Sequence, residues 1–299
     1  MRQRYLVLAL LAVLACRKKE QPAPVAEAPD TTMIVGGAFK TPESVLYDAQ
    51  LDAYLVSNIN GTPATKDDNG FISRVGTDGH VIEANWIDGA SDSVMLNAPK
   101  GMAIRGDTLF VADIDVVRLF NRATGAPVGA WRVPGATFLN DVSVGPDGTV
   151  YVTDTGLKPD FTSSGTDAIW RFDARGRATK VAGGRSLGGP NGVTADSAGL
   201  VVVTFVSGEV YRLNAAGRRT NLPKPAKGQL DGVVLLPGGA LLVSSWADSS
   251  VSRLNPADTA WTKVVTGVQS PADIGYDTRR GRLLIPVFQA DRIEIRPLR

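Results

Sequence analysis

The stretch Phe138-Leu139-Asn140-Asp141-Val142-Ser143-Val144-Gly145-Pro146-Asp147-Gly148-Thr149-Val150-Tyr151-Val152-Thr153-Asp154 holds two alternating apolar runs, a Pro-Asp-Gly turn between them, and an acid at the end. Asp-Gly supplies the positive φ angles of a tight turn, so the pattern predicts a β-hairpin. The same pattern is written six times along the chain. Its openings are Pro42-Glu43-Ser44-Val45, Pro99-Lys100-Gly101-Met102, Leu139-Asn140-Asp141-Val142, Pro190-Asn191-Gly192-Val193, Leu230-Asp231-Gly232-Val233 and Pro271-Ala272-Asp273-Ile274. The second strands close on Val56-Ser57-Asn58, Val111-Ala112-Asp113, Val152-Thr153-Asp154, Val203-Thr204-Phe205, Val243-Ser244-Ser245 and Ile285-Pro286-Val287. Successive openings lie 40 to 57 residues apart, a period that suits propeller blades.

Most copies continue into two further strands, as in Phe71-Ile72-Ser73-Arg74-Val75 followed by Thr77-Asp78-Gly79 and His80-Val81-Ile82-Glu83. The sixth stops one strand short, after Arg292 to Pro297. The segment Thr32-Met33-Ile34-Val35-Gly36-Gly37, upstream of the first copy, can supply the missing outer strand and remove the exposed edge. The expected fold is all-β: a six-bladed β-propeller with four-stranded blades, its last blade closed by an N-terminal strand.

Residues 1–15 read as a lipoprotein-type signal peptide, with Arg2 and Arg4 ahead of the apolar run Tyr5 to Ala15. The run is too short to span a bilayer as a helix. It ends Val13-Leu14-Ala15-Cys16, which resembles a bacterial lipobox and makes Cys16 the expected lipidation site. Residues 16–30, rich in Pro, Ala and charge, are expected to be a flexible tether, and 31–299 the propeller. The expected location is the bacterial cell envelope, lipid-anchored and facing the periplasm or exterior. Cys16 is the only cysteine, so no disulfide forms within the chain. Arg2 and Arg4 account for the formal charge of +2, and a neutral mature chain gives no electrostatic basis for binding nucleic acid.

In a propeller the first strand of each blade starts at the central axis, so the residue after each opening Pro or Leu should ring one mouth of the tunnel. That ring reads Glu43, Lys100, Asn140, Asn191, Asp231 and Ala272. Two carboxylates and two amide oxygens suit Ca²⁺, with Mg²⁺, Mn²⁺ or Zn²⁺ as other divalent candidates. One His and one Cys rule out a typical zinc site. The same residues have a purely conformational reading, because Asn-Asp, Asn-Gly and Asp-Gly are also common turn chemistry. A second ring, at the second-strand ends, is expected to read Asn58, Asp113, Asp154, Phe205, Ser245 and Val287, with Trp246 walling the site. The lengthened connections Asn60 to Gly70, Asp88 to Leu96 and Gly156 to Asp167 belong on the same face.

The ordered motifs resemble the senescence marker protein/gluconolactonase (regucalcin-like) family of six-bladed, calcium-dependent lactonases, over essentially all of the chain from Thr31 onward. The resemblance implies a metal held by Glu43 of Pro42-Glu43, Asn191 of Pro190-Asn191-Gly192 and Asp231 of Leu230-Asp231-Gly232. Asn140 of Leu139-Asn140-Asp141 would then lie beside the substrate. The family often has an Arg just before the Asn-Asp motif to hold a sugar acid; Phe138 and Leu139 stand here instead. The implied activity is metal-dependent hydrolysis of a lactone or small ester, with the metal polarising the carbonyl and water as nucleophile. Asp231, Asp154 and Asp113 are the candidate bases, and Asn140, Lys100, Asn58, Phe205 and Trp246 the candidate substrate contacts. The alternative is a non-catalytic, NHL-like propeller binding a ligand or protein partner at the same mouth. His80 follows Asp78-Gly79 in an outer hairpin, far from the tunnel, which removes any Ser-His-Asp scheme. Lys66-Asp67-Asp68-Asn69-Gly70 lacks the later Glu of an EF-hand and reads as a turn near the mouth.

Overall fold

A computed structural model describes residues 31–298. The expected signal peptide, tether and Cys16 lipidation site lie outside the described residues. Among the described residues, no helix is long and apolar enough to cross a membrane.

The six repeats form six four-stranded antiparallel sheets. Blades 1 to 5 run in chain order over residues 42–88, 99–132, 139–183, 190–221 and 230–266. Blade 6 takes three strands from residues 275–297, and its fourth from Met33–Gly36, which pairs antiparallel with Arg292–Pro297. The N-terminal strand therefore closes the ring, as the short sixth repeat required.

The hydrophobic core is divided into one cluster per blade interface. Leu55 and Ile72 meet Met102 and Leu109 between blades 1 and 2. Phe110 and Val117 meet Val142 and Trp170 between blades 2 and 3, where Trp131 stands 5.0 Å from both Phe110 and Phe172. Equivalent clusters fill the other four interfaces. This follows from the sequence, since inner strands such as Gly199–Thr204 are buried on both faces and carry an almost continuous apolar run. Apolar burial is thus satisfied between blades, and the axis is left to polar side chains.

Charge reinforces the seam between blades 6 and 1. Arg280 donates to Asp52 at 2.7 and 2.8 Å and to the fully buried Asp277 at 3.1 Å, while the Tyr54 hydroxyl donates to Asp277 at 2.8 Å. The hydrogen bonds from Arg280 hold the Asp52 carboxyl down at about 2. Its folded value lies below the unfolded one, so its contribution to stability is present above about pH 4 and is lost between about pH 4 and 2. Thermal melts of Asp52→Asn from pH 5 to pH 2 will therefore show a shallower acid slope than wild type. Parallel curves would remove Asp52 from the acid response.

Candidate metal and substrate site

Five of the six inner strands carry a β-bulge at their opening. Pairing slips between Pro42 and Ser44, Pro99 and Met102, Leu139 and Val142, Pro190 and Val193, and Leu230 and Val233. A bulge re-aims side chains, and here it turns the residue after each opening toward the axis. Four of the openings are preceded by a residue in the left-handed region: Thr41, Gly189, Gln229 and Ser270. The middle residue of the second-strand closing triplet has a local task in blades 1, 3 and 5. The hydroxyls of Ser57, Thr153 and Ser244 accept the bulge N–H of Ser44, Asp141 and Gly232 at 2.8 to 3.0 Å. Thr153 and Ser244 also donate to a carbonyl of the following blade, Asn191 O and Ala272 O, at 2.6 and 2.8 Å.

The glycines of the Asn-Gly and Asp-Gly motifs explain themselves differently from the turn reading. Neither Gly192 nor Gly232 adopts the left-handed backbone. Each lies where the neighbouring inner strand passes closely: a Cβ on Gly192 would lie 2.4 Å from Asp231 O, and one on Gly232 would lie 2.4 Å from Ile274 N. Gly232→Ala is accordingly expected to destabilise the protein by about 1–3 kcal/mol, the range for overpacking against an unyielding neighbour. Chemical denaturation checks this, and an unchanged midpoint would show that the seam can yield.

Glu43, Lys100, Asn140, Asn191 and Asp231 converge on the floor of a cavity of about 580 Å³ at the tunnel mouth. All five are buried, with Lys100 only 1% exposed. One oxygen of each of four of them, Glu43 Oε2, Asn140 Oδ1, Asn191 Oδ1 and Asp231 Oδ1, is buried with no hydrogen-bond partner. Such groups are costly to bury unsatisfied. The Asn140 amide is oriented by its Nδ2, which donates to Thr155 Oγ1 at 3.1 Å; Thr155 in turn donates to Pro190 O at 2.9 Å. That leaves Oδ1 aimed into the cavity.

The floor is electrostatically loaded. Burial raises the Glu43 carboxyl well above the usual carboxylate range, and Asp231 and Asp273 push it further up. Burial and Asp273 likewise raise Asp231, against the pull of the nearby Trp246 indole N–H, which stops short of a well-aligned hydrogen bond. Burial pushes the Lys100 amine down to about 8. Its Nζ donates to Ala98 O at 3.1 Å and sits 4.7 Å over the Phe138 ring, forming no close ion pair with Glu43. Among the described residues, no three His, Cys, Asp or Glu side chains make an all-charged metal cluster. The donor set is mixed, two carboxylates with two amide oxygens, which is a hard-cation set rather than a zinc set.

The second ring needs correction. Asn58, Asp113 and Asp154 do not wall the cavity; their side chains are turned onto loop backbone. Asp113 accepts from Asn97 N and Ala98 N and from Arg118 Nε at 2.9 Å. Asp154 accepts from Phe138 N at 3.0 Å and Gly156 N at 3.1 Å. Asn58 holds Lys40 N and Ser73 Oγ. Neither acid is placed to act as base. In blade 4 the residue paired to the opening is Thr204, not Phe205, so Phe205 belongs one position further along. That position is the one that walls the cavity. It reads Ile59, Ile114, Thr155, Phe205, Trp246 and Phe288, and all but Ile114 line the cavity.

Two further buried acids escaped the sequence reading. One residue past the first ring, Asp141 accepts from Val193 N at 2.7 Å, and Asp273 accepts from Ser44 Oγ at 2.5 Å. Each ties its blade to the next. Burial raises both, Asp273 to about 7. The signal that could have found them is the second column of the aligned openings, where Ser, Gly, Asp, Gly, Gly and Asp occur. Two further expectations can be placed, while the 88–96 connection contributes no residue to the cavity. His80 is exposed on its outer hairpin, and the 60–70 and 156–167 connections reach the mouth through Pro63, Leu157 and Phe161.

No protein-family profile matches the chain, and no curated protein matches it in sequence. Solved structures share its fold. A gluconolactonase from Xanthomonas campestris superposes with a TM-score of 0.70 at 17% identity, over 93% of this chain and 93% of that one. Regucalcin from Agrobacterium tumefaciens, a calcium-binding protein, gives 0.64 at 15% identity, over 88% and 91% of the two chains. Virginiamycin B lyase from Staphylococcus aureus, in a catalytically inactive His-to-Ala form with quinupristin, gives 0.58 at 15% identity, over 89% and 98%. These likenesses establish the six-bladed fold.

Proposed function

We propose that this protein is a divalent-cation-dependent hydrolase of a lactone or small ester, with Ca²⁺ the first candidate cation. The observation that carries the reading is the set of four unpartnered buried oxygens, from Glu43, Asn140, Asn191 and Asp231, on the floor of one cavity. Four such atoms are expensive in a folded protein unless a cation meets them. Glu43, Asn191 and Asp231 would hold the cation, with Asn140 beside the substrate. When bound, such a cation supplies a Lewis acid that polarises a carbonyl and stabilises the charge developing on its oxygen. The chain's own groups do the rest. Of the three candidate bases only Asp231 lines the cavity, and it would take a proton from the attacking water, since Asp113 and Asp154 are committed to loop amides. The N–H groups of Lys100 would hold an oxygen of the substrate or of the acid released. Thr155 keeps the Asn140 amide in its working orientation.

The likeness to a gluconolactonase and to a calcium-binding regucalcin supports this choice over the lyase chemistry of the third neighbour. That enzyme's inactive form lacks a histidine, whereas the single His of this chain, His80, lies on an outer hairpin. The Val13-Leu14-Ala15-Cys16 signature supports placement at the bacterial envelope through a lipid on Cys16.

The test is a lactone and ester panel with Ca²⁺, Mg²⁺, Mn²⁺ or Zn²⁺ supplied. Turnover is expected, abolished by chelator and restored by the cation. Metal binding without turnover of any member would favour the NHL-like binding reading, with Lys100 holding an anionic group of the ligand. Neither binding nor turnover would leave the ring as blade-packing chemistry.

A further inference from the structure

The walls of the cavity carry information that its floor does not. Five aromatic rings line it: Phe138, Phe161, Phe205, Trp246 and Phe288. Three of them occupy the same repeat position in consecutive blades, one residue past the second strand, and form a continuous wall. Phe205 meets Trp246 edge-on at 5.6 Å, and Trp246 meets Phe288 at 5.0 Å. Phe138 and Phe161 face each other at 6.3 Å on the blade 3 side. Among the described residues that line the cavity, charge is confined to the floor residues Glu43, Lys100 and Asp231, with no Arg or His. At the rim, Phe161 is 57% exposed and Val206, next to Phe205, is 65% exposed. Phe161 carries the aromatic lining of the cavity out to solvent at the rim, where an apolar ligand would cover it.

Resting on the hydrolase reading above, we propose that the substrate is an uncharged lactone or ester with an apolar, aromatic or alkyl body, rather than a polyhydroxylated sugar lactone. The reacting carbonyl would sit on the polar floor, and the hydrocarbon body against the aromatic walls. The volume, about 580 Å³, suits a small-molecule ligand. The lining also includes Gln229, Ser270 and Gln289, which can meet a hydroxyl or two, but the sugar hydroxyls set against Phe138, Phe205, Trp246 and Phe288 would be stripped of water without a partner and lose affinity. The hydrolysis itself balances: Asp231 takes a proton from the water as its oxygen bonds to the carbonyl carbon, the acyl C–O bond breaks, and that proton passes to the leaving alkoxide.

The experiment compares two lactams, which resist hydrolysis, by calorimetry on the full chain with saturating Ca²⁺. One is the lactam analogue of dihydrocoumarin, and the other is gluconolactam. The apolar lactam is expected to bind at least roughly tenfold tighter, and Phe161→Ala or Phe205→Ala to weaken it roughly three- to tenfold, as loss of one aromatic contact would. Gluconolactam binding as well or better would overturn the proposal. So would an affinity for the apolar lactam that neither Phe variant changes, or no binding of either lactam. The first comparison needs only the wild-type protein, so a poorly folding variant does not rescue the idea. Neither lactam is turned over, so tight apolar binding in a protein that hydrolyses nothing supports the pocket's chemistry while overturning the hydrolase reading. Turnover combined with a preference for gluconolactam does the reverse.

Discussion

Asp231→Ala is expected to lower lactone hydrolysis by roughly a hundredfold or more, the scale on which removal of one preorganised electrostatic group acts. It should do so without unfolding the protein. Asp231 is buried among acids and its carboxyl is raised mainly by that burial and by Asp273. A carboxyl whose folded value exceeds its unfolded value makes the folded state bind more protons, so stability falls as pH rises from about 4 through the folded value. Above that window the charge on Asp231 opposes folding, and its removal relieves Glu43 and Asp273. The metal-free variant should therefore melt within a few degrees of wild type, or above it. Steady-state kinetics beside a melting curve separate the outcomes: lost activity in a well-folded variant places Asp231 in the machinery, and full activity would remove it.

Saturating Ca²⁺ is expected to raise the unfolding midpoint of the wild-type protein by roughly 5 to 10 °C. A ligand a hundredfold above its dissociation constant adds about 2.7 kcal/mol, and a domain of this size gains about 2–4 °C per kcal/mol. The gain should grow between pH 5 and pH 8. Over that range the metal-free protein loses stability as Asp273, raised to about 7, ionises beside Glu43 and Asp231, whose carboxyls burial also raises, while ionised carboxylates bind the cation more tightly. Scanning fluorimetry at several pH values, with Ca²⁺ and with chelator, reads this directly. No shift for Ca²⁺, Mg²⁺, Mn²⁺ or Zn²⁺, or a shift that Asp231→Ala retains in full, would sink the axial site.

Most of the fold was legible because the repeat fixes it many times over: six openings, six second strands and one missing outer strand leave little choice of topology. The floor of the site was legible for the same reason, since one aligned column lists its residues. Reading failed where a side chain's direction depends on contacts from elsewhere in the chain. Asp113 and Asp154 look like mouth acids, but the Asn97–Ala98 and Phe138 amides fold back onto them. In blade 4, Val201-Val202-Val203 satisfies the second-strand motif in more than one register; only the Pro190–Thr204 pairing decides it. That one-residue slip hid the apolar column, because Phe205 then stands alone rather than in line with Trp246 and Phe288. Asp141 and Asp273 went unread because Gly fills the same column in three other blades, and Gly there reports close packing, not chemistry.

The closing strand Met33–Gly36 gives the axial ring a mechanical role. It is the one outer strand that comes from the far end of the described chain, so closure of the circle depends on its pairing with Arg292–Pro297. Glu43 stands beside that link: its carbonyl accepts from Asp273 N at 2.9 Å, across the seam between blades 6 and 1. A cation shared by Glu43, Asn191 and Asp231 would span blades 1, 4 and 5 and act as a cross-brace, tying the seam to the far side of the ring. Opening the circle would then require breaking a bond through its hub as well as unpeeling a strand from its rim.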